Sequence, residues 1–297
     1  MIEPTTLILR QHLPLDIKIL MTRERIWQWY YHFHGEVYVS SSGGVDSLVL
    51  AHIAREIFPD IVIVYCDTGL EYPDVRTSAL GTTGIQVIKP ELSFKQVIDK
   101  YGYPVVSKEQ SQFIQEYRDT KSKLLRHTRW YGNKKGRGKI SDKWKFLANA
   151  PFKISDKCCD FLKKRPFEIF EKQTGLKPIT GILAEESSLR RQQYLNTGCN
   201  AFDTKRPVSH PLAFWTKADI WEYIRTHNIA YPSVYDKGIN RTGCMFCMFG
   251  IDQDGCPNKI QRLQELYPKI HSYCLDTLGL RQVCNFMNIP CEAENDR

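Results

Sequence analysis

No apolar run in this 297-residue chain approaches the ~18 residues of a membrane span. A secretory leader is not expected either, because the apolar stretch Leu7, Ile8, Leu9 is cut short by Arg10. Cysteine is sparse at first and then crowded: Cys66 stands alone before Cys158, and the other nine of the ten lie in the second half. Without an export signal these are poor candidates for a disulfide framework, so metal or redox chemistry in a cytoplasmic protein is the better expectation. Both common phosphate fingerprints are missing. No Lys-Ser/Thr pair follows a suitably spaced glycine, as a Walker loop requires, and there is no G-x-G-x-x-G.

What remains is an ordinary globular composition, 42% hydrophobic and 25% charged, with a formal net charge of +8 that calls for an anionic partner. The length allows one large α/β domain with an appendage, or two small domains. The informative stretch is residues 36 to 47. Val37, Tyr38 and Val39 suit a buried strand, while Leu48, Val49, Leu50, Ile53, Ala54 and Ile57 recur at helical spacing. Between them lies Ser42-Gly43-Gly44-Val45-Asp46-Ser47. Its glycines allow close approach and positive φ, so backbone N–H groups can converge on phosphate oxygens, with hydroxyls from Ser40, Ser42 and Ser47 beside them.

The alternation continues. Ile61 to Tyr65 predicts a second strand that ends at Cys66-Asp67-Thr68-Gly69; Ile85 to Ile88 predicts a third, and Phe94 to Tyr101 a short helix. Strands alternating with helices imply a doubly wound parallel sheet with ligands at the carboxyl ends of the strands, where Ser42, Asp67 and Thr68 would lie. A turn and helix cap at 67 to 69 explains those residues equally well. Ahead of the sheet, a helix from about Thr22 to Phe33 is expected to pack Ile26, Trp27, Tyr30 and Tyr31.

Residues 117 to 146 break the composition, with eleven Lys or Arg against two Asp, a net charge of +9, and Tyr117, Trp130, Tyr131, Trp144 and Phe146 among them. Basic residues interleaved with aromatics can hold a phosphate backbone and stack bases, which makes tRNA or DNA a candidate partner; a solvated insertion or a lid is the plainer reading. The glycine-rich centre of the segment is expected to be a mobile loop. Beyond it come the tandem Cys158-Cys159 and, much later, Cys244-Met245-Phe246-Cys247. C-x-x-C lets two thiolates reach one metal centre but also describes half a zinc site or a redox dithiol. Neighbouring cysteines reach a common centre only at a helix end or kink.

Taken together, these motifs resemble the phosphoadenosine phosphosulfate reductase-like superfamily. The Ser42–Ser47 loop is similar to the SGGxDS pyrophosphate loop of ATP pyrophosphatases and sulfonucleotide reductases. The cysteine set followed by Lys163, Lys164, Arg165 and Pro166 resembles the 4Fe-4S site of those reductases. Gly181 to Arg190, the run Pro211-Leu212-Ala213-Phe214-Trp215-Thr216, the helix from Asp219 to Ile224 and the turn from Ile229 to Gly238 match further motifs in order.

The resemblance implies an adenine nucleotide alpha hydrolase-like α/β fold. Residues 1–35 would form an N-terminal helical segment, 36–236 the nucleotide domain with 117–146 inserted, and 237–297 a cysteine-rich helical region. It implies ATP or a sulfonucleotide held by Ser40, Ser42, Gly43, Gly44, Ser47, Asp67, Thr68, Gly181, Glu185, Glu186 and Arg190, with Mg²⁺ at Asp46. A 4Fe-4S cluster, or zinc as the competing metal, would sit on Cys158, Cys159, Cys244 and Cys247. Asp46, Lys163 and Arg190 become candidate catalytic groups, and a sulfur or electron donor protein a candidate partner. The reductase nucleophile has no matching C-terminal motif, leaving Cys291 as the nearest candidate, and Leu183 stands where reductases tend to carry an arginine. The expected activity is therefore ATP pyrophosphatase chemistry coupled to sulfur transfer. Reduction of adenylyl sulfate to sulfite and a nucleic-acid-binding module with a structural cluster are the alternatives.

Overall fold

The structure is a computed structural model and describes residues 2–293. It divides into two compact units. The first comprises residues 1–67, 72–89 and 166–242 and is built on a six-stranded sheet. Its strands are β1 (Val37–Ser41), β2 (Val62–Cys66), β3 (Ile85–Ile88), β5 (Lys177–Thr180), β6 (Asn200–Ala201) and β7 (Val208–Ser209), in the order β3-β2-β1-β5-β7-β6. All neighbours run parallel except β6 and β7. From β1 the chain winds outward to β2 and β3, then returns to the other side of β1 as β5. The strand order therefore reverses between β1 and β5, and such a reversal opens a crevice at the carboxyl ends of the two strands.

Both faces of this sheet are covered, as the period-two pattern of β1 requires. Val37 and Val39 face a core of Ile26, Trp29, Val49, Leu50, Ile53, Trp215 and Tyr223, supplied by the helices Leu15–His32, Val45–Ile57 and Lys217–Thr226 and the segment before the last. Tyr38 points the other way, onto Val64 and Phe170 of the helix Arg165–Thr174. The N-terminal helix differs from expectation in length and in phase. It begins at Leu15, and Lys18, Thr22, Ile26 and Trp29 are its buried residues, whereas Trp27 and Tyr31 are 52% and 54% exposed. The phase is set by polar bonds that periodicity does not register. Thr22 Oγ1 takes the Trp215 indole N–H at 2.8 Å, and the buried Lys18 ammonium meets Asp219 at 2.7 Å.

The second unit comprises residues 68–71, 90–165 and 243–297. Its only paired strands among the described residues are β4 (Val105–Val106) and β8 (Met248–Phe249), which run parallel; otherwise it is helical. This grouping departs from the sequence-based boundaries, because β4–β8 pairing and the Tyr103 hydroxyl on the Leu278 carbonyl at 2.9 Å tie residues 90–165 to the C-terminal segment. The glycine-rich stretch expected to be mobile is a closed turn. Asn133 Oδ1 accepts the N–H groups of Lys135 and Arg137, Asn133 N–H donates to the Arg137 carbonyl, and Ile140 beyond the turn is fully buried. All ten cysteines are free thiols, and no described helix is long and apolar enough to cross a membrane.

Candidate functional site

In the first unit the loop after β1 lies at the strand-order reversal. Gly43 takes φ +74°, and a side chain there would run into the Val75 carbonyl oxygen, 2.9 Å from an added Cβ. Loop N–H groups turn to serine oxygens: Gly43 N–H donates to Ser41 Oγ (3.2 Å), Gly44 N–H to Ser42 Oγ (3.4 Å) and Ser42 N–H to Ser47 Oγ (3.2 Å). Ser47 Oγ in turn donates to the Gly44 carbonyl at 2.8 Å. These single bonds to hydroxyl oxygens hold the amides in the cupped form that an anion can take over, at the positive end of the helix Val45–Ile57. Ser41, which the sequence reading passed over for Ser40, is the hydroxyl that braces Gly43.

Gly181 lies against the loop from the end of β5. An added Cβ would stand 2.9 Å from the Asp46 carbonyl oxygen, so this glycine serves the close approach of two backbones. Asp46 points its carboxylate at Lys217, whose Nζ lies 2.7 and 2.8 Å from the two oxygens. Lys217 opens its helix, and its own N–H is capped by Glu185 Oε1 at 2.6 Å. Glu186 pairs with Arg190 and accepts the Leu183 N–H. Burial and the positive charge of Arg241 push the Arg190 guanidinium below its ordinary value, while Asp46 acts the other way; Asp46 itself is held by Lys217. Tyr235 completes the rim, its hydroxyl accepting the Val45 N–H at 3.1 Å beside Thr242 Oγ1 at 2.9 Å.

Two expected nucleotide contacts have partners within the fold. Asp67, at the end of β2, is nearly buried and held bidentately by Arg76 at 2.8 and 2.9 Å. Thr68 forms a turn, its hydroxyl bonded to Glu71 and to the Leu70 N–H.

Sequence reasoning did not find His210, at the end of β7. Its ring bridges Thr180 Oγ1 (2.6 Å) and Gln193 Nε2 (2.9 Å), and burial, with Arg190 adding to it, lowers it from 6.5 to about 4. The neutral ring is thus built into the fold. Below the unfolded value of 6.5 the unfolded chain binds a proton that the folded chain refuses, so stability falls as pH drops and the loss is complete below about 4. Urea unfolding should show about 3 kcal/mol less stability at pH 4 than above 6.5 from this group. His210→Gln should flatten that difference; an unchanged pH profile in the variant would contradict the assignment.

In the second unit the tandem cysteines enter a wide helical turn. Cys158 and Cys159 precede the π-turn Asp160–Lys164, which brings their sulfurs to 4.0 Å. Such turns recur at functional sites. Cys244 and Cys247 form the turn before β8, with Cys247 N–H on the Cys244 carbonyl and Met245 N–H on the Leu70 carbonyl. All four thiols feel one another: Cys158 is raised by its bond with Cys159, then by burial and by the charges of Cys159, Cys247 and Cys244.

Within the pair, Cys159 is pulled down to about 6, first by the Cys158 hydrogen bond and then against burial by Lys163 and Lys108. The Cys244 sulfur beside Lys163 raises that ammonium. Among the described residues no three His, Cys, Asp or Glu side chains converge closely enough to hold a single metal ion. Cys291 is a different kind of group: it is buried beside Cys284, burial raises its thiol, and its carbonyl accepts from His271 Nε2 at 2.6 Å. Burial that raises the thiol works against the thiolate an attack requires.

Comparison with known proteins matches residues 36–249 to the family model described as phosphoadenosine phosphosulfate reductase domain. An adenosine 5′-phosphosulfate reductase of Geobacillus thermodenitrificans is 26% identical over 223 residues, covering 74% of this chain and 76% of the relative. The adenosine 5′-phosphosulfate reductase 2 of Bacillus subtilis is 25% identical over 233 residues, 75% of this chain and 77% of the relative. Among solved structures, a phosphoadenylyl-sulfate reductase from Candida auris superposes with a TM-score of 0.44 at 15% identity, covering 75% of this chain and 87% of that one.

Proposed function

Since the chain belongs to the phosphoadenosine phosphosulfate reductase domain family and is an enzyme of it, we propose that it opens ATP between the α- and β-phosphates, adenylylates an acceptor and takes part in sulfur transfer. The observation that carries this reading is the Lys217 ammonium on both oxygens of Asp46, with Arg190 near enough to feel the same carboxylate, at a loop that keeps the whole SGGxDS pattern. A leaving pyrophosphate needs positive charge beside the loop where its electron pair arrives.

The loop amides of residues 42–47 would hold the β- and γ-phosphates. As the acceptor nucleophile bonds to the α-phosphorus, the α–β bridging P–O bond breaks and its electron pair leaves on pyrophosphate, where Lys217 and Arg190 absorb the charge. Mg²⁺ fits Asp46 only if Lys217 gives up the carboxylate, which its transfer to a phosphate would accomplish.

Cys158, Cys159, Cys244 and Cys247 suit a 4Fe-4S cluster better than zinc. A cubane takes one thiolate at each iron, so its ligands need not converge on a single atom. When bound, the cluster would supply electron transfer or an iron site for sulfur. Lys163 would offset the thiolate charge, and a sulfur or electron donor protein would complete the cycle. A reducing cytoplasm, where ten free thiols persist, suits this chemistry. A polynucleotide, tRNA or DNA, is the acceptor that the charge of residues 117–146 fits.

The names of the relatives favour a second reading, reduction of adenylyl sulfate or its 3′-phosphate to sulfite. The buried Leu183 and Cys291 weigh against it. Anaerobically purified protein should release pyrophosphate from Mg-ATP with a nucleic-acid acceptor. Sulfite from adenylyl sulfate with thioredoxin, without pyrophosphate release under any acceptor, would establish the second reading instead.

A further inference from the structure

We infer that the helix Lys123–Tyr131, together with the turn after it, is a docking surface for a single-stranded polynucleotide. The inference rests on the acceptor being a nucleic acid and says where and in what form that acceptor is met. This helix buries none of its residues. Leu124, His127 and Tyr131 recur at the spacing that puts side chains on one helical face. That face is turned outward, with Leu124 78% and Tyr131 64% exposed and the His127 ring 4.7 Å from that of Tyr131. An amphipathic helix ordinarily turns its leucine and tyrosine inward, so this stripe is the reverse of a packing face.

The rest of the helix explains why it holds that orientation. Trp130 stacks on Tyr117 with ring centroids 4.8 Å apart, and Arg129 lies over the Phe113 ring at 4.1 Å while pairing with Glu116. Arg126 donates to the Tyr117 and Thr120 carbonyls. Apart from Arg126 and Arg118, which donate to backbone carbonyls, the cations of the segment fall into two groups. Arg129, Lys139, Lys143 and Lys145 are paired with carboxylates and build the scaffold. Lys121, Lys123, Lys134, Lys135 and Arg137 have no carboxylate partner among the described residues. The first two flank the start of the stripe, and the last three stand on the closed turn directly after Tyr131.

Cations without carboxylate partners, on and before a hydrogen-bonded turn beside an exposed ring, are what a flexible anionic chain with free aromatic faces requires: phosphates meet the cations and bases stack on Tyr131. A duplex keeps its bases stacked internally and would use the charge alone, and a merely solvated basic face has no need of an outward leucine and tyrosine.

The test is fluorescence anisotropy on the full chain without ATP, using labelled poly(U), poly(dT) and a duplex of equal length across a salt series. Both single strands are expected to bind more tightly than the duplex; a preference for one of them identifies RNA or DNA as the source. Lys134→Gln/Lys135→Gln/Arg137→Gln should lower the slope of log K against log salt by about 2, at roughly 0.7 per phosphate contact. Tyr131→Ala should weaken single-strand binding by about 5- to 150-fold with the slope unchanged. Leu124→Ser, at a site 78% exposed, should weaken it in the same sense if Tyr131→Ala does not fold. Equal affinity for duplex and single strand, an unaffected stripe variant, or polyglutamate competition as strong as that of the oligonucleotides' own unlabelled forms would overturn the inference. Because ATP is absent from this assay, such a failure removes this surface as the docking site and leaves pyrophosphate release standing, and loss of pyrophosphate release leaves the binding result standing.

Discussion

Cys158→Ser and Cys244→Ser are each expected to yield protein that retains little iron or acid-labile sulfide after anaerobic reconstitution, while the wild type retains about four of each per chain. Turnover should fall to background with them. A serine hydroxyl is a poor cluster ligand, and each site contributes to a set whose members already influence one another: Cys158 responds to Cys159, Cys247 and Cys244, and Lys163 responds to Cys244 and Cys159. The consequences extend to folding. Cys158 and Cys159 belong to the π-turn region and Cys247 immediately precedes β8, whose partner is β4, so a cluster on these ligands would cross-link separate stretches of the second unit.

The wild type should therefore lose a large part of its thermal stability to an iron chelator under anaerobic conditions, and the serine variants should show no further loss. Cys256→Ser, at an exposed thiol, is the control and should keep its iron. Zinc in the wild type in place of iron, or full iron in both serine variants, would remove the cluster from the proposal.

The parts of the molecule that local pattern governs were the legible ones. β1, its loop and the helix Val45–Ile57 follow from a β-branched run, two glycines and a 3.6-residue period, and with them comes the reversal of strand order that places the loop at a crevice. The capping box at Ser93 closes the predicted helix Phe94–Tyr101 at the expected residue. Long-range polar contacts were not legible. The helix Leu15–His32 was phased toward Trp27 and Tyr31 because hydrophobicity alone could not reveal that Lys18 and Thr22 are buried by Asp219 and Trp215.

Gly181 was read as a ligand contact; that it also leaves room for the Asp46 backbone is a requirement visible only when β5 lies beside the helix. The basic turn after Tyr131 was read as mobile because glycine and lysine dominate its composition. One asparagine side chain and the Arg129 bond to the Gly138 carbonyl close it instead. Lys217 illustrates the same limit at the site itself. The Pro211–Thr216 motif stops one residue short of it, and its partner Asp46 lies 171 positions earlier in the chain.

Lys217→Ala should lower pyrophosphate release by about 10²- to 10³-fold, the range that follows removal of one preorganised charge from a transition state, or roughly 2.7–4 kcal/mol. The loss should fall on kcat more than on KM if the ammonium meets charge that develops only as the α–β bond breaks. Stability should move little. With Lys217 39% and Asp46 21% exposed in their side chains, the ion pair itself is worth no more than about 1 kcal/mol, so a small shift in melting temperature beside a large fall in rate separates chemistry from folding. Lys217→Arg should recover part of the rate, since charge is kept while reach and geometry change.

Asp46→Asn should raise the Mg²⁺ concentration needed for turnover, and the double variant Asp46→Asn/Lys217→Ala should fall short of the product of the two single losses, because both residues act on the same phosphate charge. Strict additivity would place the two residues in independent roles. An unchanged rate in Lys217→Ala would reduce the pair to a helix-terminal salt bridge and take away the observation on which ATP cleavage rests.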